Sequence, residues 1–489
     1  ILQDKENYMS SLSYEIGQLI EKSFIFLAEQ DQDTIINIIL SLYQNEENHQ
    51  WITDFRARMG KHIPCHLRSQ AIQKLIDDYE CKNGEIIRGL FPMPQGGLVR
   101  PPFEYTFFLS VSSENILKLL HHYTGYERTI DDFLIGGEEE VAAELREASG
   151  RHPTRLLEFL EIYFEDIAPV FRDAILSGIS FYFSVMFGNM QKESEWEAIE
   201  HPNPIALTNR IMDEMEKHRE YWHHNYSASS ILEACSNVVE DPVIASRMTA
   251  LCIDFIDYQE KQCADDTDLM TTAINTRSGN IASASMILIN NLLKKNMAIP
   301  DDLQKIITKY TEGSYKPCKA LVLLRLPYTQ YKDSLFGWKI FYTIMREDTD
   351  GLWRIAEPCL YHSYKKHFDT VKPILDRIYN EAKGTESECW GRIVALASLD
   401  GLLVSQTLYS QLELKRDLNA WHGAAQVWTN HGNLISCREQ CIDGIQVGLK
   451  QDIDIARTVA NEITKIFSTD TLVTLPTEIL IQYFYIIAN

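Results

Sequence analysis

At 489 residues the chain exceeds what one hydrophobic core can organise, since single cores stop growing near about 250–300 residues, so several domains or a repeat array are expected. Its 45% hydrophobic and 24% charged residues exclude disordered and fibrous classes. The formal net charge of -23 opposes a phosphate backbone. The densest basic groups, Arg56–Arg58 with Lys61 and Lys365–Lys366 with His367, lack interleaved aromatics and read as solvated helix faces, so nucleic acid is not expected as a partner.

Ten cysteines lie scattered, several inside apolar helical patterns, as buried thiols of a reducing compartment would, and a cytoplasmic location follows. No apolar run approaches the roughly 18–20 residues of a membrane span. The opening Ile1-Leu2-Gln3-Asp4 is neither a signal peptide nor an initiator methionine, which suggests a piece of a longer protein.

Helical periodicity recurs along the whole chain, whereas alternating β-branched runs with Asn-Gly or Asp-Gly turns are almost absent. The expected class is all-α, an α-solenoid of stacked helical hairpins. Leu12, Ile16, Leu19, Ile20, Phe24 and Leu27 mark one buried helix face. Ile35, Ile36, Ile39, Leu40 and Tyr43 mark a second, giving an N-terminal helical segment over 1–83. The Pro/Gly-rich stretch 84–104, with Gly89-Leu-Phe-Pro-Met-Pro94 at its centre, forbids a continuous helix and predicts a protruding or folded-back loop.

A second helical segment, 105–200, carries helices at Ser113–Tyr123, Glu138–Ala148 and Pro153–Phe164. Its apolar stretch from Ile167 to Phe187 contains Arg172, Asp173, Gly178 and Ser180 and suits a central core helix better than a membrane span. His201-Pro202-Asn203-Pro204 marks a further boundary, after which 201–489 reads as a repeat array. Similar starts recur near Asn280, Tyr315, Gly351 and Ser387, 35 or 36 residues apart, the period of a helical hairpin. That period blurs after residue 400, although helical patterns continue to Ile487.

Catalytic signatures are missing. No Gly-rich turn leads a lysine into a helix, so no phosphate cradle is expected, and Gly136-Gly137 runs into Glu138-Glu139-Glu140. His218, His223 and His224, the set His62, Cys65 and His66, and the pair Cys437 and Cys441 offer metal ligands without a recognised spacing. Partly buried helix residues are the plainer reading of all three, and no metal or cofactor is expected. Paired acids at Asp77-Asp78, Asp131-Asp132, Asp265-Asp266 and Asp301-Asp302 suit helix starts, where they meet free backbone amides.

Among the tryptophans, Trp222 beside Tyr221 and Trp421 beside His422 have polar sequence neighbours. These four residues are the candidate partner contacts, weighed against ordinary core packing.

The segment Asn275-Thr-Arg277-Ser-Gly279-Asn-Ile-Ala282-Ser-Ala284, followed by an apolar helix, resembles a turn in helical regions of large bacterial signal-transduction NTPases. Phe336-Gly-Trp338 to Met345-Arg-Glu-Asp348, Cys359-Leu360-Tyr361, His367-Phe368-Asp369 to Ile374-Leu-Asp-Arg377-Ile378-Tyr379, and Glu388-Cys-Trp390-Gly-Arg392 are similar to successive units of the C-terminal superhelix of the STAND-type antiviral (Avs-like) family. The likeness covers about a quarter of the chain, Asn275–Asp400, and is a texture of repeats rather than a diagnostic motif. It implies a helical sensor that captures a folded phage protein, attached to an upstream nucleotide-binding module and effector that oligomerise on capture. No Walker motif is present, so only the sensor portion is implied, with no catalysis of its own and no membrane partner. A generic scaffold or adaptor solenoid, or a helical hydrolase or transferase of unfamiliar motif, are the competing readings.

Overall fold

The structure, a computed structural model, describes every residue apart from 11, 44–49, 87–98, 127–134, 192–195, 261–267, 348, 468–474 and 489. Among the described residues the protein forms 27 α-helices and no strand, with one isolated bridge between Arg100 and Ile135. The all-α, helical-repeat architecture expected from the periodicity is what the chain adopts. It divides into two compact units, Ile1–Val99 and Arg100–Asn489.

In the first unit, helices Ser13–Ser23, Glu29–Ser41, Gln50–Lys61 and Gln70–Asn83 enclose Ile16, Ile20, Phe24, Ile35, Ile39, Met59, Ile72 and Ile76. Leu12 and Leu19 were expected on this buried face and are instead 53% and 39% exposed, because the helix starts only at Ser13 and its buried stripe is narrower than the periodicity suggested. Gly17 lets the His62 ring lie against this helix: a Cβ at Gly17 would fall 2.7 Å from Nε2. His62 is thus a packed core residue, with Nδ1 3.2 Å from Glu21. The segment Gly89–Pro94 lies outside the described residues.

The second unit is built in two layers. In the first, helices Glu138–Arg151, Pro169–Met186, Tyr226–Ser236, Arg277–Lys294, Lys316–Lys332, Trp353–Tyr361, Ser387–Leu399, Leu418–His431 and Ile453–Phe467 each pack on the next. Behind them lie Pro153–Tyr163, Pro204–Lys217, Pro242–Ile253, Asp301–Glu312, Ser334–Ile344, Phe368–Glu381, Ser405–Lys415, Arg438–Leu449 and Thr477–Ala488. The hairpins run unbroken through 201–204, where Asn203 accepts from the Ala206 amide and caps the helix that Pro204 begins. They also continue past residue 400, where the sequence period blurs: Arg416 in a left-handed turn and the cap Asp417 replace the earlier turn residues.

First-layer helices are flanked on both sides and backed by the second layer, so little of their surface stays free. In Arg277–Lys294 every residue from Ser278 to Ile289 is buried, which explains its run of small and apolar side chains. The apolar Pro169–Met186 helix is likewise a core element. No described helix is long and apolar enough to cross a membrane.

Side-chain pairing shows that first-layer helices run parallel. Ser177 bonds Ser227 and, one turn on, Ser180 bonds Ser230, each at 2.9 Å, so both strides advance together. Arg392 reaches Gln426 at 2.8 Å as Glu388 reaches His422 at 3.1 Å, again in step. In a parallel layer, every turn that follows a first-layer helix falls on the same edge.

Candidate functional site

A polar seam of buried and half-buried side chains crosses the first layer from helix to helix. Asn280 Nδ2 donates to Ser229 at 3.2 Å, and Ser283 donates to Glu233 at 2.8 Å. Arg325 donates to Ser283 at 2.7 Å and to the same Glu233 at 3.0 Å, tying three helices together. Farther along, Arg392 holds Glu357 through Nε at 2.6 Å and Nη2 at 2.7 Å, and Glu388 through Nη1 at 3.0 Å. His422 then lies with Nδ1 3.1 Å from Glu388 and Nε2 2.7 Å from Glu462, and Lys465 pairs with Glu462 at 2.5 Å. Carboxylates alternate with basic side chains from Glu357 to Lys465, and the two that Ser387–Leu399 contributes, Glu388 and Arg392, lie four positions apart on one side of their helix. Burial alone would lift the Glu388 carboxyl, but bonds from His422 and Arg392 carry it below the ordinary carboxylate range.

Of the four residues singled out in the sequence, His422 belongs to this seam and is half-buried. Trp421, one position away, points in the opposite sense: it is fully buried, 6.3 Å from the Trp428 ring. Trp222 is also buried, packed edge-on to Tyr221 at 4.6 Å and to Phe164 at 5.8 Å. Neither indole therefore presents a surface to a partner. Polar sequence neighbours misdirect here, because adjacent residues on a helix point about 100° apart. Tyr221 is half-buried and donates to Asp173 at 2.9 Å, and its pair with Trp222 and the pair Trp421–His422 occupy helices that are not neighbours in the stack.

Around Tyr221 lies a second polar nest. The Phe164 ring is stacked on His218 at 3.6 Å, and the Arg172 guanidinium lies 4.3 Å from its centroid. Burial raises the Asp173 carboxyl despite bonds from Tyr221 and Asn225. Glu214 is 2% exposed, has no hydrogen-bond partner for Oε1 among the described residues, and is pushed up to about 7 by burial.

Other candidates for chemistry resolve into packing. Asp301 and Asp302 occupy the first turn of their helix as expected, whereas Asp77 and Asp78 sit inside Gln70–Asn83, a correction to the helix-start reading. Asp131-Asp132 and Asp265-Asp266 fall outside the described residues. Cys437 and Cys441 are buried, and burial with the neighbouring Cys437 pushes the Cys441 thiol up to about 12. Among the described residues no three His, Cys, Asp or Glu side chains converge as a metal site requires. A cleft of about 450 Å³ lies beside Tyr258, Glu260, Ser278, Tyr310 and Cys318, where burial drives the Cys318 thiol up and Glu260 accepts from the Ser278 amide at 2.9 Å.

What sequence reasoning missed is the edge after the first-layer helices. Its helix ends and turns expose Tyr331, Leu335, Tyr361, Val404 and Ile435, with Leu335 89% and Ile435 94% open to solvent. Val404 and Ile435 are apolar residues between helices, a signal the sequence offered; Tyr331, Leu335 and Tyr361 sit in the first or last turn of a helix and carry no such mark. The chain matches no family model, no curated protein and no solved structure.

Proposed function

We propose that this chain is the protein-recognition region of a bacterial STAND-type antiviral protein, holding a folded phage protein and thereby triggering a nucleotide-binding module attached upstream. The observation that carries the recognition reading is the apolar edge. Side chains such as Tyr331, Leu335, Tyr361 and Ile435 recur at successive turns of a parallel stack whose polar seam is already satisfied internally. The seam gives rigidity and register, and the edge offers desolvatable anchors. The antiviral assignment rests on the repeat texture between Asn275 and Asp400.

The test is affinity capture with the purified chain from phage-infected and uninfected lysates, followed by titration of the identified protein against Tyr331→Ala and Ile435→Asp variants. A viral protein whose binding weakens about tenfold or more with either change supports the proposal. Infected lysate yielding only proteins also captured from uninfected cells removes the antiviral reading, and a partner bound equally by both variants removes the edge.

A further inference from the structure

Charge is distributed unevenly along the second unit. From Arg277 to Lys383 the sequence has 17 lysines and arginines against 11 aspartates and glutamates. The preceding stretch from Arg100 to Thr276 has 13 against 32, and the following one from Gly384 has 7 against 12. A basic block is thus set between two acidic ones in a strongly acidic chain, and it coincides with the most aromatic part of the apolar edge.

At that place two successive turns meet. Tyr331, 68% exposed, ends the Lys316–Lys332 helix beside Tyr328, ring centroids 6.5 Å apart. Lys366, from the turn after Trp353–Tyr361, lies 5.1 Å from the Tyr331 centroid, joining the two repeats through a cation–π contact. Tyr361, the last residue of Trp353–Tyr361, and Leu335, in the first turn of Ser334–Ile344, are exposed at the same two helix junctions. Lys332 and Lys366 are exposed and make no ion pair among the described residues, whereas the neighbouring Lys365 is held by Asp400 at 2.9 Å. First-layer helices end and second-layer helices begin along this edge, so their dipoles oppose one another; the Asp333 carboxylate is turned to the Phe336 amide as a helix cap, and Asp369 lies in the first turn of the helix after Lys366.

We propose that Tyr328, Tyr331, Leu335 and Tyr361, with Lys332 and Lys366, form the docking site for an acidic segment of the partner protein, one that seats an apolar side chain on the tyrosines and carboxylates on the lysines. The proposal deepens, and rests on, the protein-recognition reading. Solvated aromatics flanked by unpaired cations match an apolar anchor with an acidic collar, which steers association and excludes wrong partners. A single-stranded nucleic acid shares the attraction to lysine and tyrosine. It needs a longer track of positive potential, and here its phosphates would run onto the acidic repeats on either side.

The experiment uses the whole chain and a fluorescein-labelled peptide of about twelve residues, Glu and Asp flanking a central Leu-Phe pair, followed by anisotropy at low and moderate salt. Saturable binding that weakens with salt, falls about tenfold in Tyr331→Ala and in Lys366→Glu, and is unchanged in Lys450→Glu is the expected result. No saturable binding, equal binding of a peptide with Lys in place of every acid, or indifference to Lys366→Glu would overturn the site. Tighter, Lys366-dependent binding of an oligothymidylate would overturn the assignment to protein. If a phage protein is captured yet binds Tyr331→Ala and Lys366→Glu chains at parental affinity, this site fails while the recognition reading stands. If capture yields nothing, the recognition reading fails, and the peptide titration still decides the patch.

Discussion

Arg392 holds Glu357 across a repeat boundary with two nearly parallel bonds, Nε at 2.6 Å and Nη2 at 2.7 Å, both side chains being about four-fifths buried. A bidentate pair fixes register as well as energy, and removing one partner leaves the other charge stranded in a poorly solvated place. Arg392→Met should therefore cost about 2–3 kcal/mol, with Glu357 stripped of its bidentate partner and Glu388 left to His422 alone. The double variant Arg392→Met/Glu357→Leu should recover part of that loss. Thermal and urea unfolding of the parental chain, of Arg392→Met, of Glu357→Leu and of the double variant measure it, and additive losses would contradict a coupled pair.

Acid should weaken the same seam. Glu388 sits below the ordinary carboxylate range in the folded chain, so it contributes stability above the unfolded carboxylate value, and that contribution is lost as pH falls through the folded one. Melting temperature should decline between about pH 5 and pH 3, and Glu388→Gln should flatten that decline while lowering stability at neutral pH. A parental slope in the Gln variant would place the acid sensitivity elsewhere.

Glu214 predicts the opposite sign. Its folded carboxyl is pushed up to about 7 by burial, so between the unfolded value and 7 the folded chain retains a proton that the unfolded chain has lost. Stability from this group consequently falls as pH rises, by up to about 3 kcal/mol once both forms are ionised. Glu214→Gln should raise the melting temperature at pH 8 and change it little at pH 4.5. A gain of equal size at both values would show that packing, not ionisation, is responsible.

The helices Ser387–Leu399 and Leu418–His431 approach through a reciprocal glycine contact. A Cβ on Gly391 would strike the Ala420 carbonyl oxygen, and one on Gly423 would strike the Glu388 carbonyl oxygen, each well inside van der Waals distance. The obstruction is backbone, which cannot swing aside. Gly391→Ala and Gly423→Ala should each destabilise by about 1–3 kcal/mol even though alanine favours helix, and a gain in melting temperature would refute the close packing.

Periodicity alone disclosed the class of fold and several helices nearly to the residue, Ser113–Tyr123 among them, because a buried stripe leaves its spacing in the sequence. The repeat starts at Asn280, Tyr315, Gly351 and Ser387 fall within three residues of the helix starts at Arg277, Lys316, Trp353 and Ser387. The seam was not legible: Glu357, Arg392, Glu388, His422 and Glu462 lie on four helices, and their pairing depends on the parallel stacking that no local pattern encodes. Only His422 was found, through its tryptophan neighbour. Lys366 was noted as part of a doublet without aromatics, since Tyr331 reaches it from another repeat.

Trp421 and Tyr331 separate core from surface most sharply. Trp421 is fully buried, with its ring edge 3.3 Å from the Cβ position of Gly448, and Trp222 is packed against Phe164 and Tyr221. Truncating either to alanine removes a large buried ring and opens a cavity, so Trp421→Ala and Trp222→Ala should each lose about 3–5 kcal/mol of stability. Tyr331 is 68% exposed and its truncation should change stability by less than about 1 kcal/mol, the lost cation–π contact with Lys366 being solvated. Unfolding monitored by tryptophan fluorescence for Tyr331→Ala, and by circular dichroism for the tryptophan variants, distinguishes the classes. Any partner binding lost in Trp421→Ala should return when titration is done at a temperature where that chain remains folded, whereas loss in Tyr331→Ala should persist at every temperature. A Trp421→Ala chain that keeps the parental melting temperature but cannot bind would move that indole from core to contact surface.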